Sequence, residues 1–227
     1  MNAPIKKQNS LIPLIALCVG FFMVILDVTI INVALPSMAK NLDGGISWLQ
    51  WVVDGYTLTF ACLLLSAGSL GDRWGAKSSY LFGLMIFILM SAACGMANNF
   101  LWLTLFRLLQ GVSAALLVPT SIALINAAYK DKTARARAIG VWASIGGIAA
   151  ASGPVLGALL TAGFGWRSVF FVNVPVGILG LLLTVYYVKD TIRGHQEKFD
   201  FLGQIIGILS IASLAFSLIE AGRVGDK

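Results

Sequence analysis

Apolar positions in this chain do not alternate with polar ones at the period of a strand or of a surface helix. They come as long unbroken runs separated by short polar stretches. Crossing the hydrocarbon of a bilayer takes about 20 apolar residues in helical form. Seven runs meet that length: 11–35, 46–70, 78–97, 99–127, 138–163, 168–188 and 201–221. Lipid offers no partner to a free backbone amide, so these runs are predicted to be helices and not strands. The longer ones predict tilt or extension into the interface. The connections 37–45, 71–77, 97–99, 129–137 and 164–167 are short, and 189–200 is longest, polar and mixed in charge. The expected organisation is an all-α membrane protein: a six-helix domain over 1–188, a linker over 189–200, and a seventh helix with a short tail over 201–227.

Composition agrees with this pattern. Hydrophobic residues make up 58% of the chain and charged residues 11%, with mean hydropathy +0.87, which excludes an ordinary water-soluble domain. The net charge of +6 would raise nucleic acid as a partner in a soluble protein, but the positions of the charges explain it better. With the N-terminus inside, the inner face carries Lys6, Lys7, Arg73, Lys77, Lys130, Lys132, Arg135, Arg137, Lys189, Arg193 and Lys198. The outer face carries only Lys40, Arg167, Arg223 and Lys227, and Arg107 lies within a span. This asymmetry predicts a multi-pass protein of the cytoplasmic (inner) membrane with a cytoplasmic N-terminus and an outer C-terminus, its surroundings lipid bilayer and not nucleic acid. Trp48, Trp51, Trp102 and Trp166 fall near predicted outer ends, as an interfacial aromatic belt would. Cys18, Cys62 and Cys94 each lie in a span without metal-ligand or redox spacing, and read as small buried apolar residues. The single histidine, His195, sits in the charged linker. The first run is too long and too polar at Asp27 for a signal peptide. No His-, Cys- or Ser-centred constellation lies near a water interface, so no enzyme, metal or organic cofactor is expected.

Three charges lie deep within the runs, Asp27, Asp54 and Arg107, while Glu220 sits at the very end of the last one. An aspartate at the middle of a spanning helix costs roughly 2.5–3.5 kcal/mol. Such a residue is kept where it faces a cavity or a partner. At a rise of 1.5 Å per residue each of the three lies about 12 Å below the predicted outer end of its span, so all are expected to line one cavity. One guanidinium neutralises one carboxylate and not both, leaving the other acid to take up a proton near neutral pH. Two readings stand at this stage, an ion pair that only fixes packing and a set that titrates.

Two further features carry local chemistry. Gly153 and Gly157 form a small-xxx-small pair, with Pro154 expected to kink the fifth span. Helix packing and a hinge between helices are equally consistent with it. With Gly146 and Ala150, this stripe is expected to form part of a face toward a partner domain. Between the second and third spans, the run from Gly68 to Lys77 carries Gly68, Asp72, Arg73, Gly75 and Lys77, with glycines that permit a sharp turn. A matched nine-residue spacing, Asp27 to Pro36 and Gln110 to Pro119, hints at an internal repeat, though chance explains it equally well.

These motifs together resemble the major facilitator superfamily, and within it the EmrB/QacA-type drug:proton antiporters with fourteen helices. The resemblance covers essentially the whole chain. It rests on Leu26-Asp27-x-Thr29-x-x-Asn32-x-Ala34-Leu35-Pro36, on Trp51 to Tyr56 with Asp54, and on Gly68 to Lys77. It rests further on Leu103, Arg107, Gln110 and Gly111, on Gly153 to Gly157, and on Trp166-Arg167 through Asn173 and Pro175. The chain departs from the family pattern at Ala76, where a basic residue is usual, and at Ala158, where a glycine is.

The resemblance implies the six-helix N-terminal half of a transporter plus one further helix. It implies proton-coupled efflux of lipophilic, often cationic, drugs by alternating access, and hence antibiotic resistance, with protons as the only coupling agent. It assigns coupling and substrate contact to Asp27, Asp54, Arg107 and Gln110. It assigns gating to Gly68, Asp72, Arg73, Gly75, Lys77, Gly153, Pro154 and Gly157. The chain ends about halfway through such a transporter, which predicts a missing C-terminal half or a partner subunit. The alternatives are an exporter of metabolites or amino acids, or a truncated fragment that does not transport.

Overall fold

The computed structural model describes residues 11–42 and 45–189, with Ile206, Ser210 and Ser213 besides. The regular structure of the described residues is all helical: α1 (Leu11–Leu42), α2 (Ile46–Trp74), α3 (Ala76–Met96), α4 (Phe100–Ala128), α5 (Lys132–Phe164), the single-turn α6 (Ser168–Phe171) and α7 (Asn173–Tyr187). α1, α3, α4, α5 and the unit Ser168–Tyr187 made by α6 and α7 are each long and apolar enough to cross a membrane. α2 qualifies when counted across a 58° bend between Ser47–Leu64 and Ser66–Trp74. The expected linker and seventh span lie outside the described residues, apart from Ile206, Ser210 and Ser213, which are helical.

The helices pack as two groups joined along a central seam. α4 lies between α2 and α3. α1 packs on α5 and α7, and α7 also contacts α3. α1 and α4 touch across the middle, and that seam holds the buried charges. Between helices in lipid the hydrophobic effect drives little, so close backbone approach has to do the joining. Gly153 and Gly157 of α5 provide it. A Cβ on Gly153 would lie 3.1 Å from the Ile30 backbone nitrogen, and one on Gly157 would lie 2.8 Å from the Ile30 carbonyl oxygen. Gly146 faces Phe21 of α1 in the same way. The small-residue stripe expected to face a partner domain therefore packs inside this unit, against α1, because its backbone is the part of α5 that fits there. Pro154 is exposed, and α5 remains helical through it.

Several predicted boundaries are corrected. α1 continues through the exposed Pro36 to Leu42, seven residues past its predicted end. The predicted loop 71–77 is mostly helix: α2 runs through Gly68, Asp72 and Arg73, and only Gly75 breaks it. The basic stretch read as a loop is largely the first turns of α5. Asp131 caps that helix, its carboxylate accepting from the Ala134 N–H at 2.8 Å. Polarity alone had suggested a loop, whereas a helix extends past the apolar run wherever caps and charges sustain it. Trp166 is also corrected. It is not in an exposed belt but is 2% exposed, edge-on to Phe170 and beneath the guanidinium of Arg167. Trp48, Trp51 and Trp102 are exposed.

Gly75 turns the chain from α2 into α3 with φ 92° and ψ 132°, a combination that side chains oppose. A Cβ there would meet nothing within 4 Å, so the cost of adding one is purely conformational. Gly75→Ala is expected to destabilise the protein by about 1–3 kcal/mol, read as a lower melting temperature in detergent. An unchanged melt would show that the turn is not held in this conformation.

Candidate functional site

Asp27 and Arg107 form a salt bridge on the α1–α4 seam, with each residue 1% exposed. Taking both charges out of water costs several kcal/mol per ion, which is recovered only if the remaining hydrogen-bonding capacity is met. Here much of it is met. Arg107 Nη1 donates to Asp27 Oδ2 and, at 3.0 Å, to Gln110 Oε1. Arg107 Nε donates at 3.0 Å to the Val52 carbonyl of α2. The guanidinium carbon lies 4.2 Å from the ring centroid of Tyr56, a cation–π contact worth about 2 kcal/mol when desolvated. The Tyr56 hydroxyl donates in turn to the Val24 carbonyl of α1 at 3.3 Å. Arg107 thus ties α4 to α1 and α2 together.

The other carboxylate oxygen is also occupied. Asp27 Oδ1 accepts from Gln110 Nε2 and from Asn173 Nδ2, both at 3.1 Å. Gln110 is placed by helical spacing, three residues after Arg107 on the same face of α4. Asn173 is the first residue of α7 and is 1% exposed. It also donates to Ser91 Oγ of α3 at 3.1 Å. Cys94 Sγ lies 3.8 Å from Gln110 Oε1. The network draws on α1, α2, α3, α4 and α7.

Of the residues predicted for coupling, the structure brings Asp27, Arg107 and Gln110 together, in a packed interior and not along an open cavity. Asp54 is set apart. It is half-buried and makes no hydrogen bond or ion pair among the described residues. On α2 it shares a stripe with the exposed Trp51, Thr57 and Ala61, spaced three and four residues apart. Asn173, Ser91 and Tyr56 were not singled out as site residues. A buried asparagine at the start of an apolar helix was the available signal for Asn173. Nothing local marks Ser91, because serine is common in spanning helices.

The residues predicted for gating divide by position. Gly68 and Asp72 line a cavity of about 220 Å³ between α2 and α4, with Gly71, Pro119, Thr120 and Asn126. Asp72 and Arg73 are exposed. Lys77 Nζ donates to the Val185 carbonyl at 3.2 Å, joining the start of α3 to the last turn of α7. There it satisfies one of the carbonyls that a helix end leaves without a partner. Gly153 and Gly157 seat α5 on α1, as above.

Known proteins place this architecture. The model of the Major Facilitator Superfamily matches residues 17–201. The chain belongs to the Major Facilitator Superfamily. It is 41% identical over 219 residues to the multidrug resistance protein Stp of Mycobacterium tuberculosis (strain CDC 1551 / Oshkosh), which covers 96% of this chain and 41% of that protein. It is 41% identical over 212 residues to the methylenomycin A resistance protein of Bacillus subtilis (strain 168), covering 93% of this chain and 45% of the relative. Among solved structures, a peptide transporter POT in complex with sulfate superposes with TM-score 0.72 at 14% identity, over 92% of this chain and 45% of that one. At that identity the likeness shows the fold alone. The chain spans about half the length, or somewhat less, of the curated relatives it matches. Family membership and several long apolar helices make this a multi-pass membrane protein of a transporter family.

Proposed function

We propose that this chain is the N-terminal half-unit of a proton-coupled multidrug exporter of the fourteen-helix, EmrB/QacA-type branch. Its substrates are lipophilic, mostly cationic drugs, and it works by alternating access in the inner membrane with a cytoplasmic N-terminus. The observation that carries the reading is the contrast between two acids at span depth. Asp27 is paired with Arg107 and accepts further hydrogen bonds, whereas Asp54, on the flank of α2, has no counter-ion among the described residues. An acid without a counter-charge at that depth is the one suited to exchange a proton. A cationic drug beside it stabilises the carboxylate and expels the proton. By linkage, proton binding expels the drug. The names of the relatives, multidrug resistance and methylenomycin A resistance, support drug efflux as the task. A complementary C-terminal half, or a partner subunit in its place, completes the path for alternating access.

The test uses the complete transporter in everted vesicles energised by a pH gradient. A lipophilic cation such as ethidium is expected to be taken up and to release protons from the lumen. Asp54→Asn is expected to abolish the pH dependence of cation binding and the proton release while leaving the protein folded. Cation uptake that ignores the gradient, or an unchanged pH profile in Asp54→Asn, overturns the reading.

A further inference from the structure

The network around Asp27 has a direction, set by a backbone carbonyl on the far side of it. Ser91 Oγ lies 2.8 Å from the Phe170 carbonyl oxygen of α6. A carbonyl only accepts, so the serine hydroxyl donates its one hydrogen there. The same Oγ then has only lone pairs to offer Asn173, which must turn its NH2 group toward it. That same Nδ2 carries its second hydrogen to Asp27 Oδ1 at 3.1 Å. On the other flank Arg107, which also only donates, requires the oxygen of the Gln110 amide and so turns Gln110 Nε2 toward Asp27. Both amides are therefore oriented as donors by groups that cannot reverse. Among the described residues Asp27 meets N–H donors on both oxygens and no acceptor for a carboxyl proton.

We infer that Asn173, oriented by Ser91 and the Phe170 carbonyl, is a positioning residue that holds Asp27 as the ionised acceptor of the pair, so that Asp27 stays charged through the transport cycle. The chain folds that way locally because the span after the Trp166 turn is interrupted. α6 ends at Phe171, α7 begins at Asn173, and Pro175 removes a backbone N–H just beyond. The joint puts the Phe170 carbonyl and the Asn173 side chain on opposite ends of the same serine.

The titratable groups that meet this network from each packed element are few. α4 brings Arg107, α2 brings Tyr56, whose hydroxyl is committed to Val24, and α3 brings Cys94 beside Gln110. α6 has none. On α7 the tyrosines, Tyr186 and Tyr187, lie in the last turn, and the charged residues of α5 lie in its first two turns, the nearest of them, Arg137, about 24 Å along that helix from Gly153, which meets Thr29 and Ile30 of α1. On α1 itself the other titratable groups are Cys18 and Lys40.

This inference rests on the proposed coupling only for its effect on transport, and its test separates the two. Infrared difference spectra of the complete transporter are recorded between about pH 5.5 and 8.5, a range bracketing neutral titrations. In Asp54→Asn no titrating protonated-carboxyl band that Asp27→Asn would remove is expected. Adding Asn173→Ala or Ser91→Ala is expected to bring one in, and Asp27→Asn is expected to remove it again. The same added substitutions are expected to restore a pH dependence to cation binding. Ser91→Thr keeps the hydroxyl and is expected to stay silent. A spectrum that remains silent in both alanine variants, each still melting cooperatively, overturns the role of Asn173. A band already present in Asp54→Asn that Asp27→Asn removes also overturns it. Cation binding that keeps its pH dependence in Asp54→Asn without such a band defeats the assignment of Asp54 instead.

Discussion

Arg107→Met is expected to cost about 3–5 kcal/mol of stability, the usual penalty for leaving one charge of a buried pair alone. The loss reaches beyond the ion pair. The Val52 carbonyl loses a donor, the Tyr56 ring loses its cation, and Gln110 loses the group that orients it. The seam between α1 and α4 joins the two helix groups alongside the α3–α7 contact, so the loss should appear as a cooperative fall in melting temperature and not as local fraying. Removing both charges distinguishes the mechanism. Arg107→Met combined with Asp27→Asn leaves no isolated ion and is expected to be less damaging than Arg107→Met alone. Asn at 27 can also turn its amide oxygen toward Gln110 or Asn173. Thermal melts of the three proteins in one detergent decide it. If the double variant melts as low as or lower than the single, the buried charge is not what the single substitution exposes. Drug-driven proton release is expected to vanish in both.

Gly153→Ala together with Gly157→Ala is expected to rank second, at about 1–3 kcal/mol for overpacking a filled interface. At Gly157 the obstacle is the Ile30 carbonyl oxygen at 2.8 Å. At Gly153 it is Thr29 together with the Ile30 nitrogen at 3.1 Å. Thr29 cannot swing aside freely, because its hydroxyl donates to the carbonyls of Ile25 and Leu26. Backbone is the hardest neighbour to move, so α5 has to lift off α1. The two sites lie one turn apart on a shared contact and are expected to couple, not to add. Asp27 is on the stretch of α1 that would shift, so exchange should suffer beyond the loss of stability. Gly147→Ala is the control. A Cβ there meets nothing within 4 Å, and the exchange of glycine for alanine in a helix is expected to stabilise by roughly 0.5–1 kcal/mol. Equal effects at Gly147 and at the pair would mean that helix propensity and not close approach is being read.

Much of this architecture was legible in the order of residues, because a bilayer leaves the chain few choices. Runs of apolar residues must be helices there, and charges within them must find partners. The all-helical architecture follows from the first constraint and the buried Asp27–Arg107 pair from the second, whereas Asp54 has no such partner among the described residues. The motif resemblance led to the superfamily that the family match then established. Helix ends were less legible. Hydropathy marks where lipid begins and ends, while a helix stops where its caps and its φ angles stop it, as at Asp131 and Gly75.

What only the tertiary structure decided was which groups meet. Depth along a helix is read from residue number, but the direction a side chain faces depends on which neighbour covers it. Depth put Asp54 level with the other two charges, yet packing gave Asp27 to Arg107 and left Asp54 on the flank of α2. The glycine stripe of α5 was visible as a pattern, and only the fold turned it toward α1. Ser91 carried no local mark, and the asparagine at 173 gave no sign of its partners, since a hydrogen bond between residues 82 positions apart in the chain exists only once α3 and α7 are side by side.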